Sequence, residues 1–378
     1  MSPDPTARRL DVDWLRIFAV YMLFPFHVGK IFDVPPFYHL KNGELSDAMG
    51  FFTGFVHLWH MRLLFLLAGW SLLGSLRARG RDGFLRERFR KLMVPFFAGV
   101  LVLCPFLGWA ERLHGMLILP DGRIERLAGP APGFFEYLPS FFQLPGFTWA
   151  HLWFLLYLYV LTLLYFPLFR RLEARPGRSE HVAGAWAWLP MLLLAASEAA
   201  LRGRWPGVQN LYDDWANVAL YSTFLVAGFL MARQPAFEAA VHREGARLGA
   251  TGLAAAGLLA LDRGGLVSLP PWASDAASGV AAWGIVCGLL AFGFRHLRRG
   301  ANSAFRWLRD SSFPVYVLHS PAIVFVAHFV VQTDWGIAAK FAVILAGSVA
   351  LTLLAYELLV RNLAPMRFVF ALKPQPAT

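Results

Sequence analysis

Residues 13–30 read Asp13-Trp-Leu-Arg16-Ile-Phe-Ala-Val-Tyr-Met-Leu-Phe-Pro25-Phe-His27-Val-Gly-Lys30. The segment belongs to an apolar block long enough to cross a bilayer, where a core of roughly 30 Å needs about twenty helical residues. It nevertheless holds four ionisable side chains. At ~100° per residue, His27 lies ~20° round a straight helix from Arg16, Asp13 ~60° and Lys30 ~40° the other way. All four then share one stripe, which belongs against a polar cavity because charge facing lipid is costly. Arg16 and His27 are about 16 Å apart along the axis, roughly half the membrane. Pro25 is expected to bend the helix just before His27. A structural alternative pairs Asp13 with Arg16 at i,i+3, snorkels Lys30 and satisfies the histidine locally. It does not explain a histidine with a cation on each side.

Similar apolar blocks recur along the chain. Spans are read at 12–32, 51–76, 92–109, 149–169, 182–201, 215–232, 248–261, 275–294, 311–331 and 335–360. The seventh is short and rich in Ala and Gly, so it is expected to be thin or interrupted. The fold class is therefore an all-α, polytopic transmembrane helical bundle of about ten helices, one membrane domain over 1–378. Composition agrees: 57% of the 378 residues are hydrophobic and 16% charged, where a soluble chain carries roughly a quarter charged. Ten spans put both termini on one side. With that side cytoplasmic, the inner segments hold 24 Lys and Arg and the outer ones 7, while Arg16, Lys30, Arg62 and Lys340 fall within spans. That asymmetry predicts an N-in, C-in topology. The net charge of +11 is thus an orientation signal, and no nucleic-acid partner is expected. No small-residue cleavage site follows the first block, so it is expected to remain as a span. Cys104 and Cys287, both within spans, form no disulfide framework.

Other polar residues near the spans extend the functional reading. Arg86, Arg88, Arg90 and Lys91 crowd the inner end of the third span, with Arg88 and Lys91 on one face at i,i+3. They suit phosphates, or they are ordinary positive-inside charge. His319 lies mid-span after Pro314, suited either to a helix–helix hydrogen bond or to a site. His57 and His60 have no acidic or cysteine ligand beside them, so no metal is expected. His151 is expected to line the start of the fourth span, and His328 and Glu357 to pack or snorkel. No phosphate loop, Gly-x-Ser-x-Gly elbow or His-Glu-x-x-His occurs, which leaves NTP-driven transport, serine hydrolysis and zinc proteolysis unsupported.

The spacing Arg16-x10-His27, preceded by Asp13-x-x-Arg16, resembles the signature of the acyltransferase-3 family of bacterial membrane O-acyltransferases. Later blocks are similar in the same order: Leu64-Phe-Leu-Leu-Ala-Gly-Trp70, Phe84-Leu-Arg-Glu-Arg-Phe-Arg-Lys-Leu-Met-Val-Pro95, His151-Leu-Trp-Phe-Leu155 and Phe313-Pro-Val-Tyr-Val-Leu-His319. Phe26-His27-Val-Gly and Phe37-Tyr-His-Leu-Lys-Asn-Gly-Glu-Leu-Ser46 resemble the glucan-succinylating branch. Two departures stand out. Lys91 replaces the second arginine of an Arg-x-x-Arg pair, and Arg62 stands where relatives often carry proline.

The resemblance implies an inner-membrane enzyme that moves an acetyl- or succinyl-type acyl group from cytoplasmic acyl-CoA to a hydroxyl of a periplasmic or cell-surface carbohydrate. His27 would be the base, the side chain suited to proton exchange near neutral pH. Arg16, with Asp13, would hold the donor's reacting end or a developing oxyanion. Arg86, Arg88, Lys91 and His319 would hold the donor. A secondary transporter or flippase for a glycan or lipid-linked substrate is the alternative, with the same stripe as a relay. Such a protein more often shows paired broken helices in two related halves, and none is found.

Overall fold

A computed structural model describes residues 9–144, 146–175, 184–298 and 300–372. Four of the inner cations (Arg8, Arg178, Arg299 and Lys373) lie outside these residues, as do 182–183 at the start of the fifth expected span. The all-α reading holds. Eight helical stretches among the described residues are long and apolar enough to cross a membrane. The first comprises α1 (Leu10–Tyr21) and α2 (Leu23–Phe32), joined by a tightened turn at Met22. Pro25 accounts for the join: it has no N–H to give the carbonyl of Tyr21.

The second stretch, Asp47–Leu113, is 67 residues long and contains two expected spans. It holds α3 (Asp47–His57), α4 (His60–Arg88), α5 (Val94–Val102) and α6 (Cys104–Leu113). The break between the two spans falls at Gly80, whose φ of 64° and ψ of −169° only glycine adopts readily. From Phe89 to Met93 the helix widens into a π-turn. Pro95 again lacks the N–H that would close an ordinary turn onto Lys91. A small hairpin follows, β1 (Met116–Ile118) with β2 (Ile124–Arg126), then the short helix α7 (Phe134–Phe141). The bundle continues with α8 (Trp153–Ala174), α9 (Leu189–Leu201), α10 (Trp215–Arg233), α11 (Pro235–Arg263), α12 (Pro271–His296), α13 (Ser303–Val330) and α14 (Ile337–Ala355).

The seventh expected span lies within α11, a continuous helix of 29 residues, so it is not interrupted, yet α11 is not among the eight stretches apolar enough to cross a membrane. Its small residues are a packing seam. A Cβ added at Gly252 would sit 2.6 Å from the Ile285 nitrogen, and one at Gly284 2.5 Å from the Leu248 carbonyl oxygen. Between α4 and α10 the approach is closer still, with Gly69 against Leu225 and Gly228 against Leu66, each at 2.0 Å. Membrane helices gain little from burying apolar surface against one another, so close backbone packing of this kind holds them together. It fixes α4, which carries much of the site.

The topology is open to a direct test. Cys104 and Cys287 are fully buried, so the natural chain is a silent background for thiol labelling. A cysteine at exposed Glu44 should react only from outside, and one at exposed Arg81 only from the cytoplasm. Reaction of both from one side would reject this topology.

Candidate active site

Around the N-terminal half of α1, three arginines converge on one face of α4. Arg16 pairs with Asp13 at 3.0 Å and donates to the Ser71 hydroxyl at 2.9 Å. Arg88 donates to Ser75 at 3.2 Å, one turn further along, and the Arg9 guanidinium lies 4.8 Å over the Trp70 ring. Trp70, Ser71 and Ser75 thus offer one polar strip at helical spacing. The Arg16 side chain remains 32% exposed. Inside a membrane protein such exposure is to a wet cleft, since lipid would not tolerate it.

The paired Arg88 and Lys91 expected from sequence do come together, but around a carboxylate. Glu87 receives Lys91 at 2.7 Å, Arg88 at 3.0 Å, Arg79 at 3.2 Å, and the Ser75 hydroxyl. Burial pushes the Glu87 pKa up, but the hydrogen bonds from Lys91, Ser75 and Arg88 outweigh it and hold the value at about 2. Glu87 therefore stays ionised and offsets part of the positive charge. Arg86 and Lys91 are exposed, and Arg90 lies 5.4 Å over the Phe368 ring. A cavity of about 740 Å³ at the C-terminal end of α12 is lined by Phe294, Arg295, His296 and Arg298, with the Arg9 guanidinium 5.9 Å over the Phe294 ring. It adjoins α1, where Gly293 packs against Leu15. Sequence reasoning counted these arginines only as topological charge.

At the opposite end of this helix pair, Asp33 is fully buried just past α2. It accepts from Lys30 and Lys41 at 2.7 Å each and from Thr53 at 2.8 Å. Lys30 therefore neutralises a carboxylate and does not snorkel. Lys41 also donates to the carbonyls of Lys30 and Pro35 at 2.6 and 3.0 Å, His39 pairs with Glu111 at 2.7 Å, and Lys340 reaches Asn42 at 3.0 Å. These bonds fasten residues 33–46 into a roof. Its Tyr38 ring stacks over His27 at 5.5 Å with planes 28° apart.

Below the roof, His27 lies 5.0 Å from His319 on α13, centroid to centroid, and His319 lies 5.3 Å from His151. His151 occupies a short helical turn before α8. It donates from Nε2 to the Val317 carbonyl at 2.8 Å, and its own carbonyl accepts from the Tyr316 hydroxyl at 2.6 Å. The preceding Ala150 is forced to a φ of 43°, a strained left-handed conformation for alanine that those anchors hold in place. His319 donates from Nδ1 to the Tyr316 carbonyl at 2.7 Å. The bonds made leave Nδ1 of His27, Nδ1 of His151 and Nε2 of His319 buried without a partner. Buried polar atoms are ordinarily satisfied, so three such nitrogens in one cluster point to a ligand or proton that visits the site.

Asp13 and Arg16 lie on α1 beside Ser71, and His27 and Lys30 on α2, with helical hydrogen bonds continuing across Met22. His60 bonds the Val56 carbonyl at 3.0 Å, and no group of three or more His, Cys, Asp or Glu among the described residues could hold a metal ion. His328 pairs with His114 at 3.2 Å, and Glu357 accepts from Trp307 and Arg361.

The acyltransferase-domain family profile matches residues 9–357. Glucans biosynthesis protein C of an ETEC strain of Escherichia coli is 23% identical over 99% of this chain and 97% of its own length. Glucans biosynthesis protein C of Escherichia coli strain SMS-3-5 is 24% identical over 46% of this chain and 42% of its own length. No solved structure matches the chain.

Proposed function

The chain belongs to the acyltransferase-3 family, and from that premise we propose that it transfers an acyl group from cytoplasmic acyl-CoA to a carbohydrate hydroxyl outside the bacterial inner membrane. Membership decides for an enzyme against the transporter alternative. The carbohydrate acceptor is carried over from the name of the glucan-biosynthesis relatives. The observation that carries the reading is the unpartnered Nδ1 of His27 beside the lone Nε2 of His319, beneath the roof and across the membrane from the arginine-lined strip.

His27 takes the proton of the acceptor hydroxyl, whose oxygen forms a bond to the acyl carbon as the carbon–sulfur bond breaks. The proton leaves on the released CoA thiol, directly or through His319. Arg16, paired with Asp13 and Ser71 about 16 Å from His27, would hold the phosphate end of the donor by charge. Arg88, Arg295 and Arg298, with the rings of Trp70 and Phe294, suit a nucleotide diphosphate and its base. The test is transfer of radiolabel from acetyl- or succinyl-CoA, supplied on the inside of proteoliposomes, to a glucan outside. Absence of transfer with either donor and any soluble glucan would reject the proposal.

The donor mouth carries its own prediction. Arg88→Gln with Lys91→Gln should raise the KM for acyl-CoA by about 10-fold, the size of one lost charge-assisted hydrogen bond. The value of kcat should barely move. An unchanged KM would return these cations to topology and leave Arg295 and Arg298 as the donor's partners.

A further inference from the structure

We propose that the hydroxyls of Tyr38 and Ser320 form an oxyanion hole beside His27, donating to the acyl oxygen while the acyl group is transferred. This rests on the reading of the His27 cluster as the acyl-transfer centre. As the acceptor oxygen bonds to the acyl carbon, one pair of carbonyl electrons moves onto the acyl oxygen. The pair returns when the carbon–sulfur bond breaks. Donors already fixed around that oxygen act more strongly than water would, because they need no reorganisation. The cations of the region are placed elsewhere. Arg16 lies about 16 Å from His27 along the helix axis, beyond reach of the reacting oxygen. Lys30 and Lys41 are bound to Asp33, and Lys340 to Asn42.

Tyr38 is buried in the roof, and Ser320, the residue after His319 on α13, is fully buried. Both hydroxyl oxygens lack a hydrogen-bond partner among the described residues. Burial pushes the Tyr38 pKa up, and the nearby Ser320 hydroxyl draws it back only in part. The phenol therefore stays protonated and able to donate. Stacking over His27 at 5.5 Å accounts for the Tyr38 ring and not for its hydroxyl, since phenylalanine would stack as well. Serine and threonine within helices ordinarily return the hydroxyl to the preceding turn, as Thr162 does to Leu158 and Ser312 to Leu308. Ser320 does not. The histidines cannot fill the same role. His151 and His319 each donate through one nitrogen to a carbonyl, so the other nitrogen presents a lone pair. Nδ1 of His27 presents one too if it is to act as the base. Lone pairs can receive a proton, but they repel an oxyanion. The two hydroxyls supply the donors that the cluster otherwise lacks.

Ketone analogues of acetyl-CoA and succinyl-CoA, with a methylene between sulfur and carbonyl, keep the acyl oxygen but cannot transfer the group. With a carbon-13 carbonyl, their infrared stretch reports how strongly that oxygen is hydrogen-bonded. The stretch is measured on the purified full-length protein for wild type, Tyr38→Phe and Ser320→Ala, with thermal unfolding as the check on folding. Wild type should hold the stretch of at least one analogue below its frequency in water. Each substitution should shift it upward without changing the affinity for the analogue. In transfer assays Tyr38→Phe should lose about 10²–10³-fold in kcat, the usual cost of one oxyanion donor, and keep the KM for acyl-CoA. A stretch that Tyr38→Phe leaves unmoved overturns the assignment. It does so even if kcat falls, since the hydroxyl would then act on His27 or the acceptor. Failure of both analogues to bind wild type overturns the assignment together with the reading beneath it. The two can also fail separately. A stretch moved by both substitutions, without transfer to any carbohydrate, would reject the reaction and keep the carbonyl site. Transfer by wild type and Tyr38→Phe at equal rates would keep the reaction and reject the oxyanion hole.

Discussion

Replacing His27 by alanine is expected to lower the rate of acyl transfer by about 10²–10⁴-fold, the usual cost of losing a general base. Insertion and donor affinity should be little changed. Three features combine in this expectation. His27 is half-buried beneath Tyr38, with Nδ1 lacking any partner in the protein. Its neighbour His319 already holds a carbonyl through Nδ1, so His27 adds no bond on which the packing depends. The donor's phosphates would be held at the cytoplasmic end by Arg88, Arg295 and Arg298, on elements that the substitution does not touch. Single-turnover transfer from labelled acyl-CoA measures the rate, and calorimetry with a non-hydrolysable donor measures the affinity. Wild-type transfer by the variant would make His27 structural and remove the centre from this reading.

The sequence makes the bundle legible because hydropathy and charge placement act over whole spans, which survive small errors at any residue. The Asp13–Arg16 pair was equally readable, since i,i+3 contact needs only a helix. Residues brought together by tertiary packing were not. His151 sits before its span in a turn that only Tyr316 and Val317 anchor, and nothing local announces that α13 lies there. Glu87 was hidden by its context. One acid among four basic neighbours, Arg86, Arg88, Arg90 and Lys91, reads as diluted charge, yet Ser75 on the preceding turns folds it into the hub of the cluster. The weakness read into the seventh span came from treating Ala and Gly as poor membrane residues. Hydropathy scores transfer to lipid, whereas Gly252 faces the backbone of Ile285 and never meets lipid. Lys30 could not be placed from sequence for a related reason: a snorkelling lysine and one paired with a buried Asp33 look alike until the roof of residues 33–46 is folded over them.

A second large loss is expected at His319, where glutamine should lower kcat by about 10²-fold and leave the donor KM nearly unchanged. Sequence resemblance assigned this histidine to the donor. The structure sets it between His27 and His151, about 24 Å along α13 from Ser303 at its cytoplasmic start, at 1.5 Å per residue. Phosphates held at the inner mouth lie far from such a position. The bond from Nδ1 to Tyr316 fixes the tautomer, which leaves Nε2 with a lone pair and no partner. Two imidazolium ions this close would repel, so a proton taken by one ring is readily passed to the other and on to the departing thiolate. Glutamine keeps a hydrogen-bonding side chain of comparable reach but cannot take up a proton. The outcome therefore separates the roles. A rise in donor KM with kcat intact would restore the donor-binding assignment, and unchanged kinetics would leave His319 as a packing residue of α13. A fall in kcat alone would make it the partner through which His27 gives up its proton.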